Sequence, residues 1–275
     1  MDSIFIDDLE VYARHGVLPE EKSLVQKFLV SARLYTDTQR AGMADELSAT
    51  INYSQVCQDI DDFLKSNSYN LIEAAAEQLA RRLLLGYAPQ LKALELTVKK
   101  PFAPIGMPLK SCSVSISRCW HRAFIALGSN MGDSEAYLKA AVQSVDENEL
   151  CRLVKSSDFI VTRPYGVTDQ ADFLNSVMEI STLMTPVELL GLCKELEEKA
   201  GRVRTRHWGP RTLDADIIFY DSEVISLSEP SLIIPHGDMH NRDFVLGPMD
   251  QIAPEFLHPI YGKSMRVMYE ELMNS

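Results

Sequence analysis

Four short segments in the first 119 residues alternate apolar and polar side chains, and this pattern most constrains the fold. The clearest segment runs from residue 24 to residue 34, where Phe28, Val30, Ala32 and Leu34 share one face. Strand side chains point alternately to opposite faces, so each segment predicts a strand with one buried side. The other three segments cover residues 3–11, 94–98 and 112–116.

Two amphipathic segments lie between the second and third of these strands. The first runs from Tyr53 to Leu64 with apolar residues at helical spacing. The second begins near Asn70, which has the spacing of a capping box with Glu73, and Gly86 is typical of a helix end. The order of these elements predicts an antiparallel sheet covered on one face by two helices, an α+β arrangement.

The remaining chain predicts a second domain of mixed helix and strand. Thr185, Pro186 and Glu188 combine an N-cap, a proline at the first helical position and a capping-box glutamate. Because 275 residues exceed the usual size of one domain, we expect domains at 1–119 and 122–275, joined without a flexible linker. Strands are expected at 123–127, 157–162, 176–180, 213–217 and 244–246, and helices after residue 133, at 185–200 and from about residue 264.

Composition excludes several classes of protein. The net charge of -12 disfavours general binding to nucleic acid. Five scattered cysteines without a Cys-x-x-Cys pair indicate reduced thiols in a cytoplasmic protein, not a disulfide framework. No apolar run approaches the roughly 20 residues of a membrane span, and the acidic N-terminus does not resemble a signal peptide. We therefore expect no nucleic-acid partner and no membrane.

The stretch from residue 201 to residue 219 combines basic and acidic groups in an acidic chain. Asp214 and Asp216 fall on one face of a predicted strand, and Leu213, Ala215 and Ile217 fall on the other. Carboxylates suit Mg²⁺ and guanidinium groups suit phosphates, so the stretch predicts a site for Mg²⁺ and polyphosphate. A solvated strand face beside a basic loop is the alternative interpretation. The four arginines are Arg202, Arg204, Arg206 and Arg211.

Two other patterns in the second half are weaker. Residues 128–133 resemble a phosphate-binding loop but lack its Gly-Lys-Ser/Thr ending, which favours a simple strand-to-helix turn. His236 and His240 have the spacing of a zinc hydrolase, but Gly237 stands where its glutamate is needed and Pro235 precedes the run. We reject a zinc site here.

Residues in the first half have simple structural explanations when taken alone. Lys100 ends a predicted strand before Pro101, where a lysine is usually a solvated edge charge. Glu73 is explained as a helix cap, and Glu21 and Tyr53 lie at element boundaries. None of these residues predicts a function alone.

Four segments, in this order and spacing, resemble dihydroneopterin aldolase: IFIDDLEVYARHGVLPEE, LSATINYSQV, NLIEAAAEQLARRLL and LTVKKPFAPI. The resemblance covers nearly all of residues 1–119. It implies the tunnelling fold, whose subunits close into barrels as tetramers that pair into octamers, so a homo-oligomer is expected. It also implies retro-aldol cleavage without a cofactor, because the dihydropterin ring accepts the electrons.

The aldolase resemblance implies a role for each of five residues. Lys100 and Tyr53 would transfer protons, and Glu21 is the further active-site carboxylate. Glu73, next to Ile72, would anchor the pterin, because a carboxylate can accept two parallel N–H bonds.

Four segments of the second half resemble 6-hydroxymethyl-7,8-dihydropterin pyrophosphokinase: FIALGSNMGD, TRPYGVTDQADFLNSV, GRVRTRHWGPRTLDADIIFY and IPHGDMHNRDF. The resemblance covers essentially all of residues 122–275. It implies a ferredoxin-like α/β fold and transfer of pyrophosphate from ATP to the pterin hydroxymethyl group, leaving AMP. Two departures are a shorter loop between Arg204 and Trp208, and Gly237 where some members carry tyrosine.

The kinase resemblance places the metal, the phosphates and the nucleotide. Asp214 and Asp216 would hold two Mg²⁺ ions that bridge the phosphates and the attacking hydroxyl. The phosphate-clamping arginines fall on Arg202, Arg211 and Arg242. On the ATP side the matched residues are Glu197, Ile217, His236 and Trp208, the last in a mobile lid.

The kinase resemblance also places the pterin. Phe173 and Phe244 would form aromatic walls, and Asn175 would hydrogen-bond the ring. Taken alone, Phe173 would be expected in a core and Asn175 in a turn. Thr162 and Tyr165 fall where backbone groups read the pterin.

Together the two resemblances predict a bifunctional enzyme of folate biosynthesis, since no third segment resembles dihydropteroate synthase. Three alternatives stay open. The first half could mainly epimerise dihydroneopterin at C2′, or it could be an inactive module that only oligomerises the kinase. The second half could be a regulator that binds a nucleotide without transferring pyrophosphate.

Overall fold

The computed structural model describes residues 1–164, 169–202 and 209–275. The chain divides into two compact units, which we call unit 1 (Met1–Trp120) and unit 2 (His121–Ser275). None of the helices in the described ranges is long and apolar enough to span a membrane.

Unit 1 is built on a four-stranded antiparallel sheet in the order β1-β2-β3-β4. A short 3₁₀ turn at Leu47–Ala49 precedes its third helix. The strands are β1 (Asp2–Ala13), β2 (Gln26–Thr36), β3 (Ala93–Lys100) and β4 (Cys112–Cys119), and the helices are α1 (Pro19–Ser23), α2 (Gln39–Ala44), α3 (Tyr53–Ser66) and α4 (Ile72–Gly86).

One face of the β2–β3 pair is the core of unit 1. Val30 pairs with Val98 and Ala32 with Leu96, and all four side chains are buried. Helices α3 and α4 pack on the sheet and on each other. Each fully buried Val or Leu side chain contributes about 1.5–3 kcal/mol. The alternation seen in the sequence therefore gave both the strands and their buried face, as predicted.

The predicted capping box of α4 is wrong. The helix begins at Ile72, and its N-cap is Leu71, which is extended and makes no side-chain cap bond. Two hydrogen bonds hold the preceding segment against the first turn of the chain: Gly16 N–H to the Tyr69 carbonyl at 2.9 Å, and Tyr69 N–H to His15 Nδ1 at 3.1 Å. Because helix α4 starts one residue later than a cap at Asn70 requires, Glu73 is not a capping-box residue.

Unit 2 contains a second antiparallel sheet, with strands in the order β6-β8-β5-β9 and β7 paired to β8. A small hairpin of β10 and β11 and a 3₁₀ turn at Met239–Asn241 complete the described elements. The strands are β5 (His121–Ser129), β6 (Cys151–Ser156), β7 (Ile160–Thr162), β8 (Phe173–Thr182), β9 (Asp214–Tyr220), β10 (Ile225–Leu227) and β11 (Leu232–Ile234). The helices are α5 (Ser134–Asp146), α6 (Pro186–Lys199), α7 (Asp243–Ile252) and α8 (Met265–Met273).

Helices cover the sheet of unit 2. Helix α5 packs on β5 and β6, α6 packs on β9, and α7 packs on β8 and on α8. Helix α6 begins at the predicted Thr185 cap, which forms the full capping box with Glu188. Two antiparallel sheets with packed helices confirm the predicted α+β class.

One strand prediction in unit 2 is confirmed in part and another is wrong. Of residues 157–162 only Ile160–Thr162 form a strand, β7, whereas Ser157 is buried in the connection between β6 and β7, where its hydroxyl accepts the Val177 N–H at 3.0 Å. Residues 244–246 lie in helix α7, whose buried Val245, Met249 and Ile252 follow helical spacing. A three-residue apolar run cannot distinguish a strand from a helix until the next turn is considered.

Candidate active sites

Lys100 and Glu21 form a buried ion pair at the end of β3. Their side chains are only 8% and 9% exposed. The Lys100 ammonium donates to the Glu21 carboxylate and, at 3.0 Å, to the backbone carbonyl of His15. The interpretation of Lys100 as a solvated edge charge is therefore wrong. A buried lysine with a paired carboxylate is an arrangement suited to proton transfer.

Backbone groups fix the Glu21 carboxylate from the other side. Its second oxygen accepts the Leu18 N–H at 2.9 Å. Burial acts to raise the pKa of Glu21, but hydrogen bonds from Lys100 and from Leu18 outweigh it, so the pKa lies below its usual value. A Cβ atom on Gly16, whose φ is +153°, would lie 2.2 Å from the Glu21 carboxyl carbon. Position 16 therefore requires glycine.

His15 is a member of this cluster that our interpretation of the sequence missed. It is fully buried, its ring packs edge-on to Phe28 at 5.2 Å, and its backbone carbonyl accepts from Lys100. Burial, assisted by the Lys100 charge, lowers the pKa of His15. The only signal in the sequence is its place in the turn between two strands.

The other residues predicted for unit 1 lie at the starts of helices. Tyr53 is the first residue of α3 and is 60% exposed. Ile72 and Glu73 form the first turn of α4, where Glu73 is exposed. The hydrogen bonds and ion pairs of unit 1 do not join Tyr53 or Glu73 to Lys100. Of the residues predicted for unit 1, the described structure joins Glu21 to Lys100, and His15 contacts Lys100 through its carbonyl.

Asp214 and Asp216 share one face of β9, alternating with buried Ala215 and Ile217, as predicted. Asp214 is not a solvated residue, because both of its oxygens are held by arginine. The two distances, from Arg202 Nη1 to Oδ1 and from Arg211 Nη1 to Oδ2, are each 2.5 Å.

Asp216 is the more accessible of the two carboxylates. Its side chain is 40% exposed, and its Oδ2 lies 4.0 Å from His236 Nε2. Desolvation by the surrounding protein, followed by repulsion from Asp214, raises the pKa of Asp216. Burial lowers the pKa of His236 despite the nearby Asp216. The site therefore holds a carboxylate whose charge is not balanced by a direct hydrogen bond among the described residues.

Glu197 links helix α6 to the same site. Its carboxylate contacts Arg202 and accepts the Ala215 N–H at 3.2 Å. Burial raises the pKa of Glu197, and the Arg202 charge opposes that rise. In this structure Glu197 therefore orients Arg202 toward Asp214.

The carboxylates of this site can hold Mg²⁺ only if water or substrate phosphates supply its other ligands. No group of three or more His, Cys, Asp or Glu side chains with metal-binding geometry occurs in the described ranges. Two neighbouring carboxylates whose repulsion raises one pKa are, however, stabilised by a divalent cation. Mg²⁺ keeps waters and binds substrate phosphates besides one or two protein carboxylates. Asp216 is accessible to a Mg²⁺ ion, whereas Asp214 would exchange one of its arginine contacts for a contact with the ion.

Asn175 and Phe173, both on β8, contact residues of other elements. Asn175 is buried in the strand, so the interpretation as a turn residue is wrong, and its Nδ2 donates to the Thr162 hydroxyl at 2.7 Å. Gly128 lies opposite on β5, where an added Cβ would lie 2.9 Å from Asn175 Oδ1. Phe173 is half-buried beneath the Arg211 guanidinium, 5.7 Å from it, and is not a core residue.

Arg242 contacts the second aromatic residue, Phe244. The Arg242 guanidinium lies 5.7 Å from the Phe244 ring centroid, and its Nε bonds Asp238 at 3.1 Å. The His236 N–H donates to the Ile218 carbonyl at 3.0 Å, which joins this segment to β9. Tyr165, Arg204, Arg206 and Trp208 lie outside the described residues.

Residues 124–254 match the family model of 7,8-dihydro-6-hydroxymethylpterin-pyrophosphokinase. The Bacillus subtilis 2-amino-4-hydroxy-6-hydroxymethyldihydropteridine pyrophosphokinase is 44% identical over 133 residues, which are 48% of this chain and 78% of that protein. The Haemophilus influenzae enzyme is 42% identical over 137 residues, 50% of this chain and 84% of that protein. This chain belongs to the 7,8-dihydro-6-hydroxymethylpterin-pyrophosphokinase family.

The first half of this pyrophosphokinase-family chain matches a second family. Residues 4–117 match the model of dihydroneopterin aldolase. The folic acid synthesis protein FOL1 of Dictyostelium discoideum is 29% identical over 286 residues, 94% of this chain and 43% of that protein. This chain therefore spans less than half the length of that relative. Both family resemblances seen in the sequence are confirmed.

Proposed function

We propose that this chain catalyses two successive reactions of folate synthesis, one in each unit. In unit 1, 7,8-dihydroneopterin is cleaved to 6-hydroxymethyl-7,8-dihydropterin and glycolaldehyde. In unit 2, that pterin receives pyrophosphate from ATP and AMP is released. The two family matches support the pair of reactions. The observation that carries the proposal is the Asp214–Asp216 face of β9 with arginines on one carboxylate and the other left accessible.

The cleavage in unit 1 requires a proton acceptor and a proton donor. A base removes the proton of the 2′-hydroxyl, the C1′–C2′ bond breaks, and its electrons enter the dihydropterin ring. Glycolaldehyde leaves, and C1′ takes up a proton. We assign these transfers to Lys100 and Tyr53, with Glu21 holding the Lys100 ammonium in place.

Glu73 is proposed to bind the pterin. It is exposed on the first turn of α4, next to Ile72, and no capping bond occupies it. An ionised carboxylate can accept both the 2-amino group and the adjacent ring N–H of a pterin. Because Tyr53 and Glu73 are not joined to Lys100 within one chain, we propose that a homo-oligomer, a tetramer or octamer, completes the site.

The transfer in unit 2 is an attack on the β-phosphorus of ATP. The hydroxymethyl oxygen bonds that phosphorus, the bond to the oxygen shared with the α-phosphate breaks, and AMP leaves as a proton is released. Arg202, Arg211 and Arg242 bind phosphate oxygens by charge-assisted hydrogen bonds. Asp214 and Asp216 would hold Mg²⁺, two ions in our proposal, which supplies charge neutralisation on the phosphates.

The remaining predicted contacts in unit 2 divide between the two substrates. The pterin would lie between Phe173 and Phe244, with Asn175 bonding its edge. The ATP side comprises Glu197, Ile217, His236 and Trp208, and the pterin side includes Thr162 and Tyr165. We place the protein in the cytoplasm, in keeping with its five scattered cysteines.

A coupled assay tests the proposal with the full chain. Dihydroneopterin, ATP and Mg²⁺ are added, and glycolaldehyde, pterin pyrophosphate and AMP are measured. Equal amounts of glycolaldehyde and AMP are expected. Formation of only a C2′ epimer would refute the aldolase assignment, and ATP binding without AMP would refute the kinase assignment.

Two variants test the activities of the two units separately. Lys100→Ala should abolish glycolaldehyde release while AMP still forms from added hydroxymethylpterin. Asp216→Ala should abolish AMP and leave glycolaldehyde release unchanged. If Lys100→Ala released glycolaldehyde at the wild-type rate with assembly intact, Lys100 would not be catalytic.

A further inference from the structure

The loop after β5 contains a buried amide that contacts two other segments of unit 2. Asn130 is 8% exposed. Its Oδ1 accepts the backbone N–H of Arg211 at 2.8 Å, and its own N–H donates to the Arg211 carbonyl at 3.1 Å. Its Nδ2 donates to the Ala171 carbonyl at 3.1 Å and to Gln170 Oε1 at 3.2 Å. All the polar atoms of this side chain are thus hydrogen-bonded.

The two ends of the Asn130 amide reach different sides of the site. The oxygen holds the backbone of Arg211, whose guanidinium bonds Asp214 at 2.5 Å. The nitrogen holds residues 170–171, which lead directly into Phe173 and the strand that carries Asn175. One side chain therefore joins the phosphate side of the site to its pterin side.

We propose that Asn130 is a positioning residue that aligns the two substrate subsites of the pyrophosphokinase site, an inference that rests on the proposed function of unit 2. It touches no reacting atom. It acts by fixing the backbone of Arg211 through its oxygen and the approach to Phe173 through its nitrogen.

The chemistry of the side chain explains why an asparagine stands here. A short amide presents one acceptor and two donors at a single end, which matches one N–H and two carbonyl-type oxygens. The substitution Asn130→Asp would keep the acceptor for Arg211 but place a charge against the two oxygens of residues 170–171. Alanine would leave groups on both sides without partners, and buried unpaired groups are destabilising.

The variants Asn130→Asp and Asn130→Ala test separately the contact of the amide oxygen with Arg211 and the contacts of the amide nitrogen with residues 170–171. In Asn130→Asp we expect the KM for hydroxymethylpterin to rise at least tenfold, while the KM for ATP stays within twofold of wild type. In Asn130→Ala we expect both KM values to rise at least fivefold. The matched control is Asn148→Ala, which removes a similar loop bond to Leu150 N–H (2.9 Å) elsewhere in unit 2 and should leave both KM values unchanged.

Hydrogen exchange of the ligand-free chain provides a readout that does not depend on activity. The Arg211 amide should exchange at least tenfold faster in Asn130→Ala and at the wild-type rate in Asn130→Asp. Unchanged exchange in both variants, or an equal rise of both KM values in Asn130→Asp, would overturn the proposal. A wild-type chain that makes no AMP would refute the proposed function, whereas the exchange result would still decide the role of Asn130.

Discussion

The buried Lys100–Glu21 pair makes a quantitative prediction about unit 1. Removing one partner leaves the other charge in a site where both side chains are less than one-tenth exposed. Loss of one member of a buried pair typically costs about 3–5 kcal/mol of stability. We therefore expect Lys100→Met and Glu21→Gln each to lower the free energy of unfolding of unit 1 by an amount in that range.

The double variant should cost much less than the sum of the single variants. Once one charge is gone, substituting its partner removes the unpaired charge and its desolvation penalty. We expect the double variant Lys100→Met/Glu21→Gln to be more stable than the additive sum by at least about 2 kcal/mol.

Native-state hydrogen exchange isolates this effect in the intact chain. Amides in the centre of β3 exchange through unfolding of unit 1, so their protection reports its free energy alone. The exposed pair Lys65–Asp61 on α3, 2.5 Å apart, is the control and should show a coupling of only about 0.3–0.5 kcal/mol. If the two single effects at Lys100 and Glu21 added to within about 0.5 kcal/mol, the pair would not be coupled as the structure indicates.

Three further predictions concern unit 2. Gly128→Ala should displace Asn175, since the new Cβ would lie 2.9 Å from its oxygen, and should weaken pterin binding about tenfold while ATP binding, by calorimetry, is retained. Asp216→Asn should reduce AMP formation about a hundredfold or more, because the amide cannot supply the charge that Asp216 would offer to Mg²⁺. AMP formation within tenfold of the wild-type rate, measured at saturating ATP and Mg²⁺, would contradict this. His258, whose pKa is lowered by burial to about 4, is neutral when folded, so unit 2 should lose about 3 kcal/mol as pH falls from 6.5 to 4. His258→Asn should flatten that loss in acid-unfolding curves.

Most strands and helices could be predicted because their cause is local. The alternation through Val30 and Ala32 depends only on the two-residue period of a strand. The Thr185–Glu188 capping box depends only on four neighbouring residues. At 157–162 and 244–246 the apolar pattern was too short, or was common to strands and helices, and packing against distant segments decided the structure.

The site residues likewise divide into those placed by local geometry and those placed by contacts with distant segments. Asp214 and Asp216 were expected on one face because strand geometry alone places them there. The burial of Lys100 was not expected, since it results from α1 and the turn at His15, 79 and 85 residues distant in sequence. The start of α4 at Ile72, which leaves Glu73 outside a capping box, was likewise not expected, and Tyr69 just before it bonds His15, 54 residues distant in sequence.

The sequence by itself determined the periodic elements, the two family resemblances and the residue types that phosphate, metal and pterin require. Only the tertiary structure decided which charges are paired, that Arg202 and Arg211 hold Asp214 while Asp216 stays accessible, and that Asn130 joins two loops. The physical reason is that periodicity and capping are properties of neighbouring residues, whereas desolvation and hydrogen bonding between distant segments exist only once the chain has folded.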